Sequence, residues 1–380
     1  MKNNFLTLFL FFIMIILIAG IAILGGAIYI DLFSDSTEPI VYQTENIITE
    51  EVSDRKKEKI QIANIDLSES IQSLNSTNEE KSSQKVDLQN QQTNNRYFYD
   101  QLSNNQKIIY DELNNNKINL RQGNYIIKYG DKFSELLSKE DGSKQLGDDY
   151  QTAIEAFTHD NPDLFFLDVN KMYLNIETTT KFLKTTYDVY ISPSNNSTYL
   201  SEDFSSINQI EDGFAKIEKV KNAILNRLTG SDYQKVLYIH DYLVSTIEYD
   251  STYSSIGTYS IYGALVGKTC VCEGYAKAFK YLANAAGFNS EIMQGVATNS
   301  SGQSENHAWN CIEIGGVWYE IDPTWDDPII VGGNGKLTNE MKYKYFLKGR
   351  TTFEKDHVLS YQFSSEGKKF SYPTISKSDY

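Results

Sequence analysis

The chain has 380 residues, 41% hydrophobic and 13% aromatic, which is enough apolar material for one or two domains with a sizeable core. Its formal net charge of −15 argues against a nucleic-acid partner, because phosphate binding needs clustered Lys and Arg. Three cysteines, Cys270, Cys272 and Cys311, are too few for a disulfide-built fold and leave at least one free thiol.

From Phe5 to Ile30 no residue carries a charge, and nearly every position is Leu, Ile, Phe, Ala or Gly. That run is longer than the roughly 20 residues that cross a bilayer as a helix. It also exceeds the roughly 7–15 apolar residues of a cleaved signal peptide. Lys2 lies before it, and Asp31, Asp35 and Glu38 follow, so the positive-inside bias leaves the bulk of the chain outside the cytoplasm. Residues 1–31 are therefore expected to be a transmembrane helix anchoring a single-pass protein in the cell membrane, with the rest of the chain extracellular. Secretion after signal cleavage is the alternative. Between Tyr42 and Tyr97 there is no aromatic residue, Gly or Pro, and scattered Ile and Leu cannot offset the chain entropy. Residues 32–95 are expected to form a disordered polar stalk.

Order is expected to resume at Arg96-Tyr-Phe-Tyr99, opening an α/β region over 96–205 that packs on the core. Ser103 is a candidate cap for a helix carrying Ile108, Ile109 and Leu113. A second helix is expected over Asp148–Phe157, stopping at Asn161-Pro162. Lys171–Ile176 and Thr186–Ile191 alternate as strands do, with Met172, Leu174 and Ile176 on one face and Tyr187, Val189 and Ile191 on another. Ser192–Ser197 is a turn or loop. Helices follow over Ile210–Leu228, with Gly230 as C-cap, and over Asp232–Ile247, capped by Ser231, with Val236, Ile239, Leu243 and Ile247 facing the core. His240 and Asp241 lie in this second helix, where a histidine is more often a packing or surface residue than a catalyst. There is no internal repeat.

From Cys272 to Gly287, Tyr275, Phe279, Leu282, Ala283 and Ala286 recur at the helical period. Cys272 thus stands at a helix start, where unsatisfied N–H groups and the dipole favour a thiolate. Gly274 allows close approach to this first turn. Cys270 lies ahead of the helix and gains less.

Gly315-Gly316 is a two-residue hairpin signal between His307–Ile314 and Val317–Asp322. Pairing about it sets Ile314 opposite Val317, Ile312 opposite Tyr319 and Trp309 opposite Asp322. His307 shares a face with Trp309 and Cys311, which makes it the diagonal neighbour of Asp322 at roughly 7–8 Å, within side-chain reach. A carboxylate there can accept from one ring nitrogen and leave the other for a thiol. Cys272, His307 and Asp322 are accordingly the candidate nucleophile, base and orienting carboxylate. Cys270, Cys272, His307 and Cys311 are nominally a zinc set, but one residue between the first two cysteines is shorter than the usual two to four.

Val271-Cys-Glu-Gly-Tyr-Ala276, Asn306-His-Ala-Trp-Asn310 and Gly316-Val-Trp-Tyr-Glu-Ile-Asp-Pro-Thr-Trp-Asp-Asp327 together resemble the core of the transglutaminase-like superfamily, in a bacterial surface-exposed branch. The resemblance is sharp over Asp232–Asp327 and extends more weakly to Lys342–Leu347 and to Asp356-His357. It implies a papain-like α+β catalytic core over 206–380, a helix with the cysteine packed on an antiparallel sheet with the histidine and aspartate, and a Cys272-His307-Asp322 triad. Cys270 falls where the family has a small residue; a Cys270–Cys272 bridge, or Cys270 as nucleophile, stays open. The implied chemistry is acyl transfer through a thioester, resolved by an amine in cross-linking or by water in deamidation or proteolysis. The backbone N–H of Cys272 is the expected oxyanion donor. Trp309 and Trp325 are either walls of an acyl channel or core residues. No EF-hand loop is present, and neither a metal nor a cofactor is assigned. The expected partners are a protein or cell-wall peptide substrate and, through the N-terminal helix, the membrane. The alternative is a non-catalytic adhesion or scaffolding module that retains the fold.

Overall fold

The apolar periodicities build two antiparallel sheets and one short parallel pair, flanked by helices. A computed structural model describes residues 96–181, 184–327, 339–360 and 370–380. The expected membrane segment 1–31 and stalk 32–95 lie outside the described residues. Among those described, no helix is long and apolar enough to cross a membrane.

The long helices are α1 (Asn104–Asn115), α2 (Gly142–Asp160), α3 (Ile207–Leu225), α4 (Asp232–Thr246) and α5 (Cys272–Ala285). The strands are β1 (Ile127–Gly130), β2 (Tyr173–Lys181), β3 (Lys184–Ser192), β4 (Glu248–Tyr249), β5 (Thr269–Cys270), β6 (Ser290–Thr298), β7 (Ser304–Ile314), β8 (Val317–Ile321) and β9 (His357–Leu359). Strands β1, β3 and β2 form one sheet in that order, and β8, β7, β6 and β9 form the other. This is the expected α+β class.

Local chemistry explains most boundaries. Ser103 and Ser231 each close a capping box, with Gln106 and Gln234 reaching back to the cap's own N–H. Helix α2 begins at Gly142, six residues before its expected start at Asp148, because the fully buried Leu146 extends the apolar stripe of Ala153, Ile154 and Phe157 by two turns. Helix α3 ends at Leu225 and not Leu228; Gly230, at φ +84°, serves the turn into the Ser231 cap and not the helix end. Strands β2 and β3 pair Leu174 with Ile191 and Ile176 with Val189, then run on through exposed threonines beyond the apolar alternation.

One buried cluster runs from Phe98 to Phe370, and α5 contributes one face to it. Tyr275, Phe279, Leu282 and Ala283 are fully buried on the face of α5 that packs into it. Each large side chain there contributes roughly 1.5–3 kcal/mol by leaving water. The same helix lies against β6 and β7. Gly315 and Gly316 both take positive φ, +61° and +80°, as a type I′ turn requires. The turn sets Ile314 opposite Val317 and Ile312 opposite Tyr319, the expected register, and ends with Asn310 opposite Ile321.

Truncating Phe279 to Ala is expected to cost about 3–5 kcal/mol in denaturant unfolding, since it empties a site with no exposed surface. Val358→Ala, on an edge strand and 64% exposed, is expected to stay within about 0.5 kcal/mol of wild type.

Candidate active site

Cys272 is the first residue of α5, preceded by Val271 in extended backbone with no side-chain cap. The first-turn N–H groups therefore have no intrahelical acceptor, and they face the thiol's end of the helix. Two backbone bonds brace the residues before it: Val271 N–H donates to Thr258 at 3.0 Å and Asp250 N–H to Cys270 at 3.0 Å. Gly274 makes this approach possible, since a Cβ there would lie 2.7 Å from Cys270 Sγ and 3.0 Å from Thr258 O. Cys272 is half-buried, whereas Cys270 and Cys311 have no exposed surface. Burial pushes both of those thiols well above the ordinary cysteine range. All three cysteines are free, so the Cys270–Cys272 bridge is not formed.

His307 lies on β7 and Asp322 just past the end of β8. Their side chains meet as the hairpin register requires, with Nε2 2.7 Å from Oδ2. Cys272 acts on the charge of the same ring, and with Nε2 held by Asp322 it is Nδ1 that is left for a thiol. Burial works against a charge on His307, but the charge and hydrogen bond of Asp322, and then Cys272, outweigh it and raise its pKa to about 10. Asp322 is fully buried, which by itself raises a carboxyl. The His307 charge, the bond to it and the bond to His357 instead hold the acid well below the usual range. Oδ1 accepts from the backbone N–H of Thr324 at 2.9 Å and of Trp325 at 3.3 Å.

The two tryptophans part company. Trp309 has no exposed surface, stacks on His307 at 6.1 Å and donates Nε1–H to Glu320 at 3.0 Å. It is a core residue and not a channel wall. Glu320 is also buried and takes Arg350 Nη1 at 2.6 Å. Trp325 is partly exposed and sits 5.3 Å from the His307 ring.

Several residues that sequence patterns did not single out for the site complete it. His357 places Nε2 3.2 Å from Asp322 Oδ2. His240, from α4, reaches Asp326 at 3.1 Å, so it pins the segment carrying Asp322 and is a packing residue in the sense expected of it. Tyr275, from α5, donates to Asp327 at 2.8 Å. Asp356-His357 carried only weak resemblance, and β9 is too short to show a period.

His307, Asp322 and His357 bring three potential ligand atoms within 4.8 Å of one another. Both imidazoles aim Nε2 at a single oxygen over hydrogen-bond distances, so protons account for the cluster. The nominal zinc set is not assembled among the described residues. Cys311 packs with Met293, Trp309, Tyr345 and Phe353, whereas Cys272 packs with Ala276, Ile292 and Ala308.

Residues 222–323 match the family model described as the Transglutaminase-like superfamily. Kyphoscoliosis peptidase of Mus musculus and that of Homo sapiens are each 30% identical to the chain over 93 residues, 23% of this chain. The aligned stretch spans only 14% of either relative's length. A crystal structure of a TGase aligns with 14% identity and a TM-score of 0.28, covering 46% of this chain and 50% of that one. With the family match and the site residues lying together in one stretch of sequence, the chain carries a transglutaminase-like domain at residues 222–323.

Proposed function

We propose that the protein is a thiol-dependent acyltransferase or peptidase whose triad is Cys272, His307 and Asp322. Its substrates are protein or cell-wall peptide carbonyls, and its N-terminal segment tethers it outside the cell membrane. The observation that supports this best is an imidazole whose Nε2 is locked 2.7 Å from a buried carboxylate, with a half-buried thiol at a helix N-terminus acting on the same ring.

The chemistry follows from where the proton sits. With its pKa raised to about 10, His307 holds its proton at neutral pH, and the form of Cys272 that reacts is the thiolate. Sγ attacks the carboxamide or peptide carbonyl, and the Cys272 backbone N–H stabilises the oxyanion. As the tetrahedral intermediate collapses, the C–N bond breaks and His307 Nδ1–H passes its proton to the departing amine. An acyl-thioester remains on Cys272. His307, now neutral, takes a proton from an incoming amine or water as that nucleophile attacks. Sγ then leaves as thiolate and the pair is restored. Asp322 keeps one tautomer and one ring orientation throughout.

In the native full-length chain, iodoacetamide is expected to modify Cys272 and to spare the fully buried Cys270 and Cys311 until denaturant is added, as read by peptide mass spectrometry. Cys272→Ala is expected to abolish incorporation of an amine probe or peptide cleavage, and Cys270→Ala to retain it. The reverse pattern would move the nucleophile. Loss of both activities with Cys272 left unmodified would favour a scaffolding module.

Acylation requires the protonated ring, so kcat/KM is expected to fall as pH rises through about 10. In Asp322→Asn the ring loses the charge that retains its proton, and the alkaline limb is expected to move down by more than about one pH unit. Turnover should drop by about 10²–10⁴-fold. An unmoved alkaline limb would contradict the assigned role of Asp322.

A further inference from the structure

We infer that His357 is a positioning residue for this reaction, a second imidazole that fixes the orientation and charge of Asp322; the role rests on the reaction proposed above. His357 is 1% exposed and opens β9, where it pairs with Ala297 of β6. Its two ring nitrogens face two carboxylates: Nε2 lies 3.2 Å from Asp322 Oδ2 and Nδ1 2.8 Å from Asp356 Oδ1. Ionised carboxylates only accept, so a ring nitrogen that bonds one does so as an N–H donor. Asp356 is itself anchored by the Tyr345 hydroxyl at 2.7 Å and by Lys344 at 3.5 Å. The result is a hydrogen-bonded series, Asp356, His357, Asp322, His307, in which acidic and basic groups alternate and which ends at the ring proposed to serve Cys272.

A space-filling role does not account for these contacts. The ring sits among Trp325, Phe353, Trp309 and Tyr345 at centroid distances of 4.6, 4.7, 5.1 and 5.1 Å, a box that a phenylalanine would fill. An ionisable ring in such a place is costly unless its donors are used. The box also fixes the rotamer, so the Nε2–H is aimed before any substrate arrives. Gly295 of β6 permits this seat, because a Cβ there would lie 2.1 Å from Val358 O and 2.8 Å from the Trp309 ring. The other charged groups facing the series are Glu320, paired with Arg350, and Asp326, paired with His240.

The donor on Oδ2 favours the ionised form of Asp322, so its loss has a signed effect on the pH profile. In the full-length chain, His357→Phe keeps the ring's shape without donors, whereas His357→Gln keeps an N–H within reach of Asp322 without the ring. His357→Phe is expected to lower kcat by about 10–100-fold with little change in KM, and to move the acid limb of kcat/KM to higher pH. His357→Gln is expected to keep the acid limb at its wild-type position and to recover most of kcat. An unmoved acid limb in His357→Phe, or equal impairment in both variants, would overturn the inference. Should either variant fail to fold, ¹⁵N-histidine NMR of the wild-type chain decides, since only four histidines contribute signals. A His357 ring protonated at both nitrogens at neutral pH supports the role, and an unprotonated Nε2 overturns it. Cys272→Ala, run alongside, separates the two claims. Turnover that survives Cys272→Ala defeats the proposed reaction itself, whereas turnover that needs Cys272 but ignores His357 defeats only this inference.

Discussion

A carboxylate taken wholly out of water is destabilising unless donors surround it, and Asp322 has four: two backbone N–H groups on Oδ1 and two imidazoles on Oδ2. Removing one member of such a buried charged set typically costs about 3–5 kcal/mol, because it strands the others. That dependence ties the proposed catalysis to folding. The position of His307 is fixed only while Asp322 is fixed, and the role proposed for His307 toward Cys272 depends on that position.

The structure spends much of its polar bonding on holding the segment that carries Asp322. His240 of α4 bonds Asp326, and the Tyr345 N–H donates to the other oxygen of Asp326 at 2.8 Å. Asp322 N–H donates to Tyr345 O at 3.1 Å. Tyr275 bonds Asp327, one turn along α5 from Cys272, so the thiol's helix and the carboxylate's loop are joined directly. The helix burying Phe279 in the core and the helix presenting Cys272 are the same element. Packing on one face therefore sets the position of the proposed nucleophile at its end.

The central parts of this arrangement were legible because their signals are local. Gly315-Gly316 determines a hairpin register by turn type alone, and from that register the meeting of His307 with Asp322 follows by counting. The apolar period after Cys272 places it at a helix start. What escaped depends on long-range contact. His357 lies on a three-residue strand that reaches the site only by pairing with β6, and three residues carry no readable period. The division between Trp309 and Trp325 was equally hidden, since it turns on Glu320 and Arg350 and not on any pattern around either ring. Helix α2 was underestimated for a related reason. Its first turns hold polar residues around Leu146, and burial of that single side chain extends the helix.

The central claim is that one thiol, Cys272, carries the acyl group. The most direct measurement is to mix the full-length chain with a glutamine-containing peptide, quench in acid before turnover completes, and locate the acyl adduct by peptide mass spectrometry. An acid-stable, hydroxylamine-labile thioester is expected on Cys272 and is expected to be absent from the Cys272→Ala chain. An adduct on Cys270 or Cys311, or product formation without any thiol adduct and undiminished in Cys272→Ala, would contradict it.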